Sequence, residues 1–113
     1  MLQINRKTMV AVYEMLCEFP PYNRWDLPKS KSVKFEAKNI KEAYGYYDSD
    51  PHTIIISKDL NPTLHDLVNT MAHEMVHMRL NDSGFKSWDL HSFKFKKIAK
   101  QVCDRLGFIE KEF

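Results

Sequence analysis

Met9, Val12, Tyr13 and Leu16 recur at intervals of three and four, the spacing of one face of a helix, and predict an α-helix over residues 5–18 with Asn5 as its candidate cap. Phe19-Pro20-Pro21 ends it, because a proline disfavours helical backbone in the residue before it. Residues 20–32 carry three prolines and several polar side chains and read as a loop. Beyond residue 32 the period changes from about three and a half to two. Val33, Phe35 and Ala37 alternate with Lys34 and Glu36 over 33–37; residues 43–47 are aromatic around Gly45; residues 52–57 carry the branched run Thr53-Ile54-Ile55-Ile56. These are three short strands. Asp48-Ser49-Asp50-Pro51 has the chemistry of a turn and makes the last two an antiparallel hairpin.

Helical spacing then returns twice. Asn61-Pro62-Thr63 opens a helix that runs to about Leu80, with Asn61 as candidate cap and Pro62 at the first helical position. Its apolar stripe is Leu64, Leu67, Val68, Met71, Met75 and Met78. At about 100° per residue, His73 and His77 fall opposite that stripe, on the side shared by Asp66, Asn69 and Thr70. Asn81-Asp82-Ser83-Gly84 stops this helix. The last helix is expected from near His91 to Leu106, with Gly107 ending it and Phe95, Ile98, Ala99, Val102 and Leu106 as its stripe. His91 lies within about 50° of the centre of that stripe and is expected to point inward. The order helix, three-stranded antiparallel sheet, helix, helix is that of a compact α+β fold.

Chemistry enters at His73-Glu74-Met75-Val76-His77. Histidines four apart on a helix share a face and can reach one metal ion, and the glutamate between them can activate water. It cannot bind the same ion as His73, because it projects about 100° away. Catalytic zinc takes three protein ligands and leaves a position open. A third histidine six residues after the second would stand at position 83, which is Ser83, and no glutamate occurs between Glu74 and Glu110. Asp82, Asp89 and His91 remain. His91 is the best candidate, since it lies on the inward side of a returning helix, and Asp89 is the substitute. Taken singly, His73 and His77 could be exposed histidines on a polar helix face and His91 a capped or core histidine; the three together, with Glu74 between, favour a Zn2+ site. His52 and His65 are expected at the surface. Tyr44, Tyr46, Tyr47 and Arg79 are the residue types available to donate a hydrogen bond to a developing oxyanion.

Composition narrows the class. At 113 residues the chain is one domain with room for one modest core. Three glycines and five prolines exclude a low-complexity chain. Cys17 and Cys103 sit among apolar residues and are expected as buried free thiols; no Cys-x-x-Cys pair encodes a zinc ribbon. No apolar run is long enough to span a membrane, and Glu14 interrupts the N-terminal one, so a cytosolic setting is expected. The net charge of +2 is small. Its distribution is uneven: Arg24, Lys29, Lys31, Lys34, Lys38 and Lys41 face only Asp26 and Glu36, and Lys86, Lys94, Lys96, Lys97, Lys100 and Arg105 follow the acidic stretch 42–82. Segments 24–41 and 86–105 are either solvated faces or a surface for a polyanion.

Three pieces of the sequence resemble the SprT-like metalloproteases, the group that includes the Spartan-type DNA–protein crosslink proteases. Ala43-Tyr44-Gly45-Tyr46-Tyr47 followed by Ile54-Ile55-Ile56-Ser57-Lys58-Asp59-Leu60 looks like the family's two strands. His73-Glu74-Met75-Val76-His77 looks like its metal and catalytic segment, and His91-Ser92-Phe93-Lys94-Phe95 like its third-ligand segment, with Ser92 where the family has glycine. The resemblance spans roughly residues 8–106. It implies a zincin-like fold, one catalytic zinc ion held by His73, His77 and His91, Glu74 as the general base, and an edge strand that binds an extended peptide. It also implies cleavage of DNA-associated proteins, with DNA a candidate partner through 24–41 and 86–105, in a monomeric single domain over 1–113 without a C-terminal zinc ribbon.

Overall fold

The computed structural model describes residues 2–113. The elements are α1 (Arg6–Leu16), β1 (Lys34–Lys38), β2 (Gly45–Ser49), β3 (His52–Ser57), α2 (Leu64–Asp82) and α3 (Phe93–Leu106). The expected loop over 20–32 contains two short 3-10 turns, Tyr22–Arg24 and Ser30–Ser32. It is pinned to the core by Tyr22, which is fully buried and donates its hydroxyl to the Ala72 carbonyl at 2.6 Å.

The α+β class is as expected, but the sheet is mixed where the pattern implied antiparallel strands throughout. Its order is β1-β3-β2; β3 pairs antiparallel with β2 and parallel with β1. The reason lies in β3, the most apolar strand, with Ile54 and Ile56 at zero exposure. Placed in the middle, it has both edges paired and its isoleucines covered, and β1 and β2 become the edges. The chain must then pass from β1 to β2 across the end of β3. That crossing is tied down by Ser57, whose hydroxyl donates to the Ile40 carbonyl at 2.6 Å. The period of two is seen at the centre of the sheet, although Thr53 and Ser57 of β3 are buried as well. Phe35, Ile54 and Tyr47 form one buried row, while Glu36, Ile55 and Tyr46 form the more exposed row behind it. β2 begins two residues later than expected, at Gly45.

α2 is the centre of the molecule and contacts α1, β2, β3 and α3. Leu67, Met71, Met75, Met78 and Leu80 have zero exposure, each contributing roughly 1.5–3 kcal/mol of hydrophobic stabilisation. Leu64, counted in the stripe, lies exposed in the first turn. The helix starts later than its sequence suggests. Thr63 is the cap, with its hydroxyl accepting from the Asp66 amide and Asp66 reaching back to the Thr63 amide. Asn61 is buried instead and joins three elements: it donates to the Tyr44 and Ser57 carbonyls and accepts from the Thr70 hydroxyl. Cys103 is buried, Cys17 is half-buried, and both are free thiols. Among the described residues, no helix is long and apolar enough to cross a membrane.

Candidate metal centre

The side of α2 opposite its apolar stripe does not face bulk water. It forms the floor of a cleft of about 880 Å3 whose upper rim is the segment Ala43–Tyr47, the unpaired edge of the sheet. Gly45 lets that rim approach. A Cβ there would stand 2.7 Å from the Ile55 carbonyl oxygen and 3.0 Å from Cγ2 of Thr70 on α2. His73, Glu74 and His77 all line the cleft.

His91 reaches the same point from the far side. It lies ahead of α3 rather than on it, because Ser92 caps the helix by accepting from the Phe95 amide. Its position is therefore set by the loop and the cap, not by a helical face. The ligand-capable atoms of His73, His77 and His91 all lie within 4.8 Å of one another, and His73 Nε2 is 3.1 Å from His91 Nε2. Two nitrogens each about 2.05 Å from a tetrahedral zinc ion stand about 3.3 Å apart, so this spacing suits an ion between them. Asp89 lines the cleft without joining this group, and Asp82 is exposed at the end of α2.

The tautomers also suit a metal. A carbonyl oxygen can only accept, so His77 Nδ1 donates to the Trp88 carbonyl at 2.6 Å and His73 Nδ1 donates to the main-chain oxygen of Phe113 at 2.8 Å. Each ring then keeps its Nε2 lone pair free for a metal. Burial, together with the rings of His77 and His91, pulls the His73 pKa down to about 4; burial and His91 also lower that of His77. Both rings are thus neutral near pH 7, the form a cation requires. Glu74 is 5% exposed, and burial raises its pKa to about 8. Phe95 packs under the three imidazoles, with ring centroids 4.5–4.9 Å away.

These observations describe three histidines that could hold one metal ion on an α+β scaffold. The SprT-like family model matches residues 14–111. The chain belongs to the SprT-like family. Sequence comparison of this SprT-like chain with the curated proteins finds no match. Among solved structures it is similar in fold to the metallopeptidase zymogen jannalysin of Methanocaldococcus jannaschii, with a TM-score of 0.56 and 16% identity over 99% of this chain and 88% of that one.

Of the four residues considered for oxyanion stabilisation, two are engaged elsewhere. The Arg79 guanidinium lies over the Trp25 ring at 5.4 Å. The Tyr47 phenol pairs with His52 Nδ1 and accepts from Asn81 Nδ2, and burial raises its pKa to about 12. Tyr44 and Tyr46 line the cleft and are exposed. His52, expected at the surface, is half-buried through its stacking on Tyr47, while His65 is exposed at the cleft's end. Sequence reasoning placed Asn69 on the histidine side of α2 without giving it a role, and missed Trp88 and Phe113. Trp88 and Phe113 act through main-chain oxygens, which leave no trace in residue identity.

Proposed function

We propose that this SprT-like chain is a zinc-dependent endopeptidase that cleaves nucleic-acid-associated proteins. The observation that carries the peptidase reading is the convergence of three imidazoles beside a buried carboxyl, in a cleft roofed by an open sheet edge. His73, His77 and His91 would hold the ion, and a set of three protein ligands is that of catalytic rather than structural zinc sites. When bound, zinc supplies a Lewis acid that polarises the scissile carbonyl and acidifies water.

The chain's own residues do the rest. The unpaired edge of β2 takes an extended peptide as an added strand and lays it across the three histidines. The Glu74 carboxylate takes the proton of the attacking water and returns it to the leaving amine nitrogen. Burial raises the Glu74 pKa to about 8 in the metal-free protein, and a cation held beside it would pull that value down toward the carboxylate form a general base requires. The Trp88 carbonyl holds His77 in the ligand tautomer.

The nucleic-acid part of the reading is supported by the exposed cations Lys94, Lys96, Lys97, Lys100 and Arg105 on α3 and by Arg24, Lys29, Lys31, Lys34, Lys38 and Lys41. Some of this charge is offset, since Lys34 and Lys38 flank Glu36 and Lys100 pairs with Asp104. The test is cleavage of a DNA-binding protein by the zinc-loaded chain, with and without single-stranded DNA, beside a Glu74→Gln control. DNA-stimulated cutting that disappears in the variant and fades with rising salt is expected. Cutting indifferent to DNA would leave a processing protease. Zinc bound without cutting would point to a non-catalytic binding module.

A further inference from the structure

After α3 the chain turns back over the cleft. Gly107, in the left-handed conformation at φ 81°, reverses its direction, and Phe108 follows near His65. The 3-10 turn Glu110–Glu112 then brings Phe113 against the metal centre. Two side chains of α2 one turn apart hold it there. Asn69 Nδ2 donates to the Glu112 carbonyl at 3.0 Å, and His73 Nδ1 donates to the Phe113 oxygen at 2.8 Å. The Phe113 ring packs on His73 with centroids 5.3 Å apart and stacks on Phe108 at 5.8 Å. Lys111, Glu112 and Phe113 thereby become part of the cleft wall.

This segment does not imitate a substrate backbone. Its amides close bonds within the segment, Glu112 to Ile109 and Phe113 to Glu110, instead of pairing with the edge of β2. What it offers the cleft is two carbonyls and one aromatic ring. The groups that receive them, Asn69, His73 and Phe108, are one polar donor, one ring beside the reacting centre and one apolar ring.

We propose that the wall formed by Asn69, His73 and Phe108 is a seat for an aromatic side chain of the substrate, held in this structure by the chain's own Phe113. The proposal rests on the peptidase reading and adds to it a substrate class: peptides with an aromatic residue next to the scissile position. It also makes segment 109–113 an internal competitor. A tethered segment acts at an effective concentration in the millimolar range. A seat filled nine-tenths of the time lowers the apparent affinity of an outside ligand about tenfold.

The test measures binding, so that it does not depend on turnover. The probe is a fluorescein-labelled hexapeptide with the sequence of residues 108–113, and its anisotropy is followed with zinc-loaded Glu74→Gln protein. Phe113→Ala in that background empties the seat, and the probe is expected to bind about tenfold more tightly than to the Phe113-containing protein. A probe whose last residue is alanine should show no such gain. Asn69→Ala, which removes a donor that the Glu112 carbonyl of the segment and that of the probe both use, should give no such gain. Equal affinity in all three proteins, or an equal gain for the alanine probe, would overturn the seat. If the chain cuts nothing, yet the probe distinguishes these variants, the peptidase reading fails and the seat stands. If it cuts and the probe does not distinguish them, the seat alone fails.

Discussion

Glu74 occupies a position where burial favours its neutral form, and that has a consequence apart from catalysis. Its folded pKa, about 8, lies above the ordinary 4.5, so in the metal-free protein the fold binds a proton there that the unfolded chain releases. The associated stability is complete below pH 4.5 and is lost as pH rises toward 8, at no more than about 1.4 kcal/mol per pH unit. His73 and His77, whose pKa values burial lowers, add stability over the same range, so the Glu74 share is read as a difference: with chelator present, the stability of the parent relative to Glu74→Gln in urea denaturation should fall from pH 5 to pH 8. The same variant is expected to retain zinc at full stoichiometry while losing cleavage by at least two orders of magnitude. The ligands behave in the opposite way: His73→Ala, His77→Ala and His91→Ala should each abolish stoichiometric zinc. Loss of zinc in Asp89→Ala with retention in His91→Ala would reassign the third ligand.

At the level of elements, two short features set where the site residues stand. Ser92 caps α3 and thereby fixes the loop that carries His91. Ser92→Ala is expected to cost about 1 kcal/mol, but Ser92→Gly only a few tenths, because glycine leaves the cap open to water. Thermal melts of the two variants would separate these outcomes. Gly45 decides how closely β2 lies on α2. An added methyl meets a carbonyl oxygen at 2.7 Å and must push the strand outward, so Gly45→Ala should lose about 1–3 kcal/mol. It should also lose peptidase activity, since the same strand roofs the cleft.

For the whole molecule, α2 is both the core and the floor of the site, so stability and chemistry share one helix. Met75 has zero exposure directly beside Glu74; Met75→Ala is expected to cost 2–5 kcal/mol, read as a shift of the denaturation midpoint. A metal ion held by the three histidines would join two distant parts of the chain, α2 and the loop before α3. At a free zinc concentration 100 times the dissociation constant it should stabilise the fold by about 2.7 kcal/mol. The rise in melting temperature on adding zinc should be absent from His91→Ala.

The local features of this protein are written in its sequence because their causes are local. Apolar spacing marks α1, α2 and α3, the branched run marks β3, and a four-residue interval places His73 and His77 on one helical face. His91 was legible as a candidate, though for the wrong immediate reason, since a cap and not a helical face positions it. The direction of β1, the burial of Asn61 and the hold of Trp88 and Phe113 on the histidines were not legible. Strand direction depends on which strand takes the protected centre of the sheet, a competition among all three. Main-chain oxygens are the same in every residue, so their use as partners is decided only when the folded chain brings them to a ring nitrogen. Sequence alone therefore determined the helices, the strands and the candidate site residues. Tertiary structure decided how those groups are oriented and what else shares their cleft, because orientation and occupancy depend on contacts between residues far apart in the chain.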